Sequence, residues 1–268
     1  MRENHGRKRI SFCGYCVAAA VLFSSLPPLY AATNADLSLT IGAEYTTGDY
    51  GTSSKTEVWY FPVTFKYANE INVFALTVPF VSVEGTGNVV LGGGGEHAVP
   101  HATTSATRRT ESGLGDVIVM ASHKLTGTAT SRIDLTGKIK LATADDTDNL
   151  GTGENDYAIQ LDFEGGYNSN GVYGSAGYKV LGDPPGIDYK NVLYGTLGFS
   201  HKLDAARSAG AEVYAQEAAT SSGKAPTELT LYLSNRTDRK TKLTGYLLMG
   251  LSDGSPDWGV GVSLKLSQ

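Results

Sequence analysis

Two Ser-His dipeptides, Ser122-His123 and Ser200-His201, stand in matching contexts, Ala-Ser-His-Lys-Leu and Phe-Ser-His-Lys-Leu. A serine beside a histidine suggests a hydrolase, because an imidazole that takes the hydroxyl proton creates a nucleophile. The flanking residues alternate apolar and polar, as in a strand, and neighbours in a strand point to opposite faces. Neither pair can therefore form its own nucleophile–base contact. Both histidines fall in the apolar phase near a strand end, which suits a girdle residue. Glu96, His97 and His101 could ligate a metal, but their spacing fits no zinc site. Asp145, Asp146, Asp148, Glu154 and Asp156 form an acidic run. Counted from Asp146, positions five and twelve of a calcium loop would be Leu150 and Tyr157, and a glutamate is needed at the twelfth. A solvated acidic loop is the better reading, with loose bridging of divalent cations as the alternative. Cys13 and Cys16 lie in an N-terminal signal and carry no redox or metal motif. The expectation is no enzyme: no catalytic residues, no metal site and no cofactor.

The elements that would position such residues are strands. Ser112–Leu125 opens with Gly113 and Gly115, then places Val117, Val119, Ala121 and Leu125 on one face. Asp116, Ser122 and Lys124 fall on the other, with Ile118 and Met120 between them. A strand of about ten residues with one apolar side is long enough to cross a bilayer. The pattern recurs. Ile133, Leu135, Ile139 and Leu141 oppose Asp134, Thr136, Lys138 and Lys140, and Tyr157, Ile159, Leu161 and Phe163 oppose Gln160, Asp162 and Glu164. Only Ile71–Val83 is apolar on both faces, so its phase is open. Twelve such strands can be counted, joined alternately by brief connectors (68–70, 126–130, 168–170, 203–207, 235–238) and by others that include long ones (84–111, 144–154). Even strand number with short turns on one side is the pattern of outer-membrane barrels. The fold expected is all-β, a transmembrane antiparallel up-and-down barrel of twelve strands.

Bulk properties agree. The chain has 268 residues, 18% of them charged, with 33 Gly and 15 Tyr. Arg2, Arg7, Lys8 and Arg9 precede an apolar stretch, Ile10–Leu26, and small residues follow to Ala32. This reads as a cleaved secretory signal over 1–32, with the barrel over 33–268. Removing it leaves 18 basic and 26 acidic residues, a net charge of −8, which disfavours nucleic acid as a partner. The expected location is the bacterial outer membrane. The expected partners are its lipids and lipopolysaccharide, the barrel assembly machinery and a small-molecule solute.

Charges on the polar phase cannot face lipid and must line the lumen. The candidate lumen and gate residues are Arg108, Arg109, Asp116, Lys138, Lys140, Asp162, Glu164, Glu212, Tyr194, Tyr214, Tyr232 and Tyr246, with Tyr60 and Tyr173 in the same phase. Mixed signs imply a narrow, partly cross-linked lumen. The long 84–111 loop either folds over the mouth as a gate, with Arg108 and Arg109 meeting Asp116, or lies disordered outside.

Ser112-Gly-Leu-Gly-Asp116, Leu150-Gly-Thr-Gly-Glu-Asn-Asp-Tyr157 and Tyr194-Gly-Thr-Leu-Gly-Phe-Ser-His-Lys-Leu203 resemble the "MetA-pathway of phenol degradation" outer-membrane family. The resemblance implies the barrel fold, an outer-membrane location and passive transport or binding of small hydrophobic or aromatic molecules. Barrels of this location usually end in an aromatic residue. Here Leu264-Lys-Leu-Ser-Gln268 keeps the alternation without one. The alternatives are an outer-membrane enzyme acting on lipid or lipopolysaccharide, and a structural barrel with an occluded lumen.

Overall fold

The structure is a computed structural model that describes residues 35–87, 89–92, 97–100 and 107–268. The signal expected over 1–32, Glu96 and His101 lie outside the described residues. The regular elements are all strands: β1 (Asp36–Gly48), β2 (Thr56–Ala68), β3 (Asn72–Gly85), β4 (Val89–Gly92), β5 (His97–Pro100), β6 (Arg109–Leu114), β7 (Val117–Gly127) and β8 (Ser131–Leu141). There follow β9 (Asp156–Tyr167), β10 (Asn170–Val180), β11 (Val192–Lys202), β12 (Arg207–Gln216), β13 (Thr227–Arg236), β14 (Thr241–Gly250) and β15 (Trp258–Ser267). From β7 to β15 each strand pairs antiparallel with the next, β15 pairs β1, β1 pairs β2 and β2 pairs β3. Strand β3 closes the ring on β6 and β7, which are two halves of one strand. The barrel thus has the twelve strands that the alternation counts. Closure gives the wall's backbone groups inter-strand partners where no water can serve them. The short strands β4 and β5 pair with each other inside the long outer loop, a hairpin too brief for the periodicity to single out.

The alternation becomes two faces. Leu37, Ile41, Phe65, Leu197 and Leu247 are exposed to the membrane, while Thr64, Asp134, Asp162, Glu212 and Thr244 are buried inside the ring. Tyr45, Trp59 and Trp258 cluster outside, with ring centroids 5.0 and 5.5 Å from Tyr45, as an interfacial girdle requires. Three of the five short connectors share one device. The Asn69, Asp204 and Asp238 side chains each accept two backbone N–H groups from residues two and three further on, at 2.7–2.9 Å. Those donors hold the Asp204 and Asp238 carboxyls below the ordinary carboxylate range.

Strand β3 resolves its open phase: Phe74, Leu76 and Phe80 face lipid, and Val73, Ala75, Thr77, Val81 and Val83 face inward. Its interior face is apolar because the lumen is apolar there. The stretch that opens Ser112–Leu125 lies within the barrel wall. Gly113 and Gly115 do not mark the rim, since the strand runs outward as far as Arg109. Instead, pairing with β3 shifts by one residue between Phe80↔Leu114 and Thr77↔Ile118, a β-bulge at Gly115–Asp116. A side chain at Gly115 would press within 3.0 Å of Val81 Cγ2 and Pro79 Cγ, so the bulge needs glycine.

Four lumen tyrosines lie against cross-strand glycines: Tyr173 on Gly198, Tyr194 on Gly177, Tyr232 on Gly210 and Tyr246 on Gly261. Each glycine gives room for a ring to lie along the wall, where it covers otherwise bare backbone. Gly261→Ala should force Tyr246 off this bed and break its 2.8 Å bond to Glu44 Oε2, destabilising the barrel by about 1–3 kcal/mol. Gly245→Ala, where nothing lies within 4 Å of the added carbon, should be nearly neutral in the same urea unfolding series.

Candidate functional site

The lumen has two unlike walls. On the side formed by β8 to β15, polar side chains bond to one another. Arg132 Nε grips Asp134 at 2.7 Å, and Asp162 accepts Thr136 Oγ1 and Gln160 Nε2. Tyr194 donates to Gln160, and Lys179 Nζ donates to Tyr214 Oη (3.1 Å) and Gln216 Oε1 (2.8 Å). The same ammonium stands 4.5 Å from the centroid of the Tyr194 ring. Lys138 is half-buried opposite Met120 and Ala158, and Glu164 is half-buried opposite Arg132 and Tyr173. Glu212 is buried between Gly198 and Thr230, beside the Tyr173 and Tyr232 rings. These side chains lie on the inward face of their strands. The tyrosines, however, are packed into the wall and do not project across it: Tyr194, Tyr214, Tyr232 and Tyr246 are all buried.

The outer mouth is built on Lys140. Its ammonium, wholly buried, bridges Asp116 Oδ2 (2.9 Å) and Asp156 Oδ2 (3.1 Å) and donates to Thr152 Oγ1 (2.9 Å). Asp116 Oδ1 accepts the N–H groups of Thr143 and Ala144, and Asp156 Oδ1 accepts that of Gly182. One buried charge cluster thus joins the bulge, the 142–155 loop and the 181–191 loop. The bulge ends the outer half-strand, and Asp116 keeps the inward phase of β7. Lys140, not Arg108 or Arg109, is the cation that Asp116 meets. Arg108 bonds the Lys55 carbonyl and pairs with Glu84 (3.1 Å) and, at 3.8 Å, Glu57. Arg109 lines a cavity of about 120 Å³ at the rim with Glu111, Thr147 and Asp148. Its polar lining comes from two loops that sequence alone cannot bring together. Beneath the loops, burial pushes the Tyr50 hydroxyl well above its ordinary pKa, and raises Tyr189 to about 12 with help from Asp156 and Asp183.

The opposite wall, on β2, β3 and β7, carries two apolar clusters, with Thr64 and Thr77 hydrogen-bonded to each other (2.8 Å) between them. Tyr50, Val58, Tyr60, Val81, Val83, Val89 and Leu150 form one buried cluster towards the outer mouth. Ala68, Val73, Ala75, Ile118 and Met120 form a second below it. Ile118 and Met120 carried no polar signal, and their burial on the same face of β7 as Ser122 makes them lumen residues. The wall is also irregular beside this track. The β1–β2 ladder skips from Ile41↔Val63 to Glu44↔Tyr60, where Pro62 has no N–H to give, and the bulge interrupts β3 against β6 and β7. A cavity of about 690 Å³ lies at this wall, lined by Phe65, Phe74, Leu76 and Val119 of the lipid face and by Ala75 and Met120 of the lumen face.

The Ser-His pairs are separated as strand geometry requires. Ser122 is buried with its Oγ 2.9 Å from Thr136 Oγ1, while His123 is exposed with Nδ1 2.8 Å from Asn72 Oδ1. His201 makes the same pair with Asn170. Among the described residues, no group of three or more His, Cys, Asp or Glu could hold a metal ion.

A closed antiparallel barrel with an apolar exterior and a polar-and-apolar lumen defines a transmembrane barrel of the outer-membrane type. The family model described as "Putative MetA-pathway of phenol degradation" matches residues 30–262, and the chain belongs to that family. In fold it is similar to the COG4313 outer membrane channel from Pseudomonas putida F1, with 13% identity, TM-score 0.65, and coverage of 89% of this chain and 98% of that one. It is also similar to the NanC porin (8% identity, TM-score 0.52, 85% and 98% covered) and the KdgM porin (12%, 0.51, 84% and 97%). Among curated proteins, none matches.

Proposed function

We propose that this barrel is a passive channel for small apolar solutes, aromatic compounds among them. The observation that carries this reading is the apolar track on β2, β3 and β7. A channel for hydrophilic solutes gains nothing from a wall of valine, isoleucine and methionine. An apolar solute moving from water onto such a wall gains about 25 cal/mol for each Å² of apolar surface covered. The P. putida structure is itself described as an outer membrane channel, which agrees. The solute enters between the outer loops, passes the Lys140 cluster and follows the track from Val81 and Val83 to Ile118 and Met120. It leaves sideways beside Ala75 and Met120, where the 690 Å³ cavity adjoins the lipid face. Arg108, Arg109, Asp116 and Lys140 hold the loops at the mouth, and Lys138, Asp162, Glu164, Glu212 and the four buried tyrosines form the fixed wall facing the track. The route needs no catalytic group.

The test uses vesicles with lipopolysaccharide in the outer leaflet, because plain phospholipid passes hydrocarbons unaided. Purified barrel should speed uptake of a labelled monoaromatic hydrocarbon over empty vesicles. Equal rates would overturn the proposal.

A further inference from the structure

The cavity of about 120 Å³ at the outer rim lies between two loops that chain order keeps apart. Val83 and Gly85 end β3 on one side of it. Arg109 and Glu111 begin β6 beside them, Val83 facing Glu111 and Gly85 facing Arg109. Thr147 and Asp148 of the 142–155 loop form a further side, and Val89 of the β4–β5 hairpin another. The floor is apolar. Val83 and Val89 are buried, and both belong with Val81 and Leu150 to the cluster that begins the apolar track. The exposed side is polar and rich in acceptors. Glu111 and Asp148 bring carboxylates. Thr147 gives its hydroxyl proton to Asp145 Oδ1 (2.6 Å), so its oxygen has lone pairs to offer but no proton. One guanidinium, Arg109, stands against the two carboxylates, so the lining is net negative among the described residues.

This lining defines a ligand. A cavity of roughly 150 Å³ takes a benzene ring, so a space of this size that opens at the rim admits one ring and little more. An apolar floor under acceptor-rich walls fits an apolar body whose polar end donates a hydrogen bond, and a hydroxyl donates well to a carboxylate. An organic acid, ionised at neutral pH, has no such proton to give and meets like charge. We infer that this cavity is the channel's outer capture site, that it takes a neutral single-ring solute carrying a hydroxyl group, and that it turns away the corresponding carboxylate. The inference deepens the transport reading and rests on it for the solute's onward passage, but not for binding. A captured ring lies on Val83 and Val89, at the head of the track, and can enter the lumen without returning to water.

The experiment is a methyl-resolved NMR titration of the intact barrel in neutral detergent at pH 7 and low ionic strength, with benzyl alcohol, toluene and benzoate as probes. The Val83 and Val89 methyls report the cavity, and the Val73 methyls report the lower track. Benzyl alcohol should shift Val83 and Val89 saturably and bind about tenfold more tightly than toluene, which lacks the hydroxyl. Benzoate should leave both valines unmoved. Glu111→Gln/Asp148→Asn leaves Arg109 as the charge of the lining and should reverse the order, so that benzoate binds about tenfold more tightly than benzyl alcohol. No saturable shift at Val83 and Val89 would overturn the inference. So would equal binding of benzyl alcohol and toluene, equal binding of benzyl alcohol and benzoate in the parent, or a double variant that still excludes benzoate. Shifts at Val83 and Val89 with none at Val73, even with toluene, would uphold the capture site and refute the track below it.

Discussion

Lys140→Ala should lower the stability of the folded barrel by about 3–5 kcal/mol, the range seen when one partner of a buried ion cluster is removed. Asp116 and Asp156 share the Lys140 ammonium at 2.9 and 3.1 Å, and all three side chains are at most 5% exposed. Removing the cation leaves two carboxylates facing each other in a dry site. The remaining donors, the N–H groups of Thr143, Ala144 and Gly182, do not neutralise them. The effect should be read by urea unfolding in lipid vesicles. It should come with faster cleavage of the 142–155 loop by a broad-specificity protease, because that loop is tied down by the same cluster. The triple change Lys140→Met/Asp116→Asn/Asp156→Asn separates charge from packing. With no charge left to strand, it should recover most of the lost stability. If Lys140→Ala unfolds like the parent, the cluster is solvated and does not hold the mouth.

That cluster marks the border of what the sequence makes legible. Period-two alternation places Lys140, Asp116 and Asp156 near the outer ends of their strands, and the inward phase of Lys140 and Asp116 follows from Ile139 and Val117 facing lipid. The strand count, the short connectors and the inward tyrosines follow from the same local pattern, which needs no knowledge of neighbours. Pairing between side chains is another matter. Asp116 is close in sequence to Arg108 and Arg109, so they are its natural partners on paper. The bulge at Gly115 ends the outer half-strand between them, and Asp116 instead meets Lys140 of β8 and the loop beyond. A bulge is set by packing, here against Pro79 and Val81 of β3. Strand β3 was illegible for a related reason. Alternation reads a strand only when one of its faces is polar, and β3 has apolar residues on both because the lumen itself turns apolar there.

The second large effect concerns that apolar lumen. Ile118→Thr/Met120→Gln should cut facilitated uptake of a monoaromatic hydrocarbon about tenfold. The replacements approximate the original shapes, and both side chains face the lumen, so neither puts a polar group into lipid. They make polar the lower half of the track, the part a solute meets just before the cavity at Ala75. A small aromatic ring covering about 60 Å² of these two residues would lose about 1.5 kcal/mol of transfer free energy, which is about a factor of ten in occupancy. Val119→Leu, on the lipid face of the same strand, is the control and should leave uptake unchanged. A drop in uptake accompanied by an equal drop in folded protein would indicate only a damaged wall, so uptake is scaled to the folded fraction in each preparation. If the double variant transports at the parental rate per folded barrel, the track plays no part in conduction. The apolar side of β2, β3 and β7 would then be wall packing, as the tyrosine-on-glycine rows are on the other side.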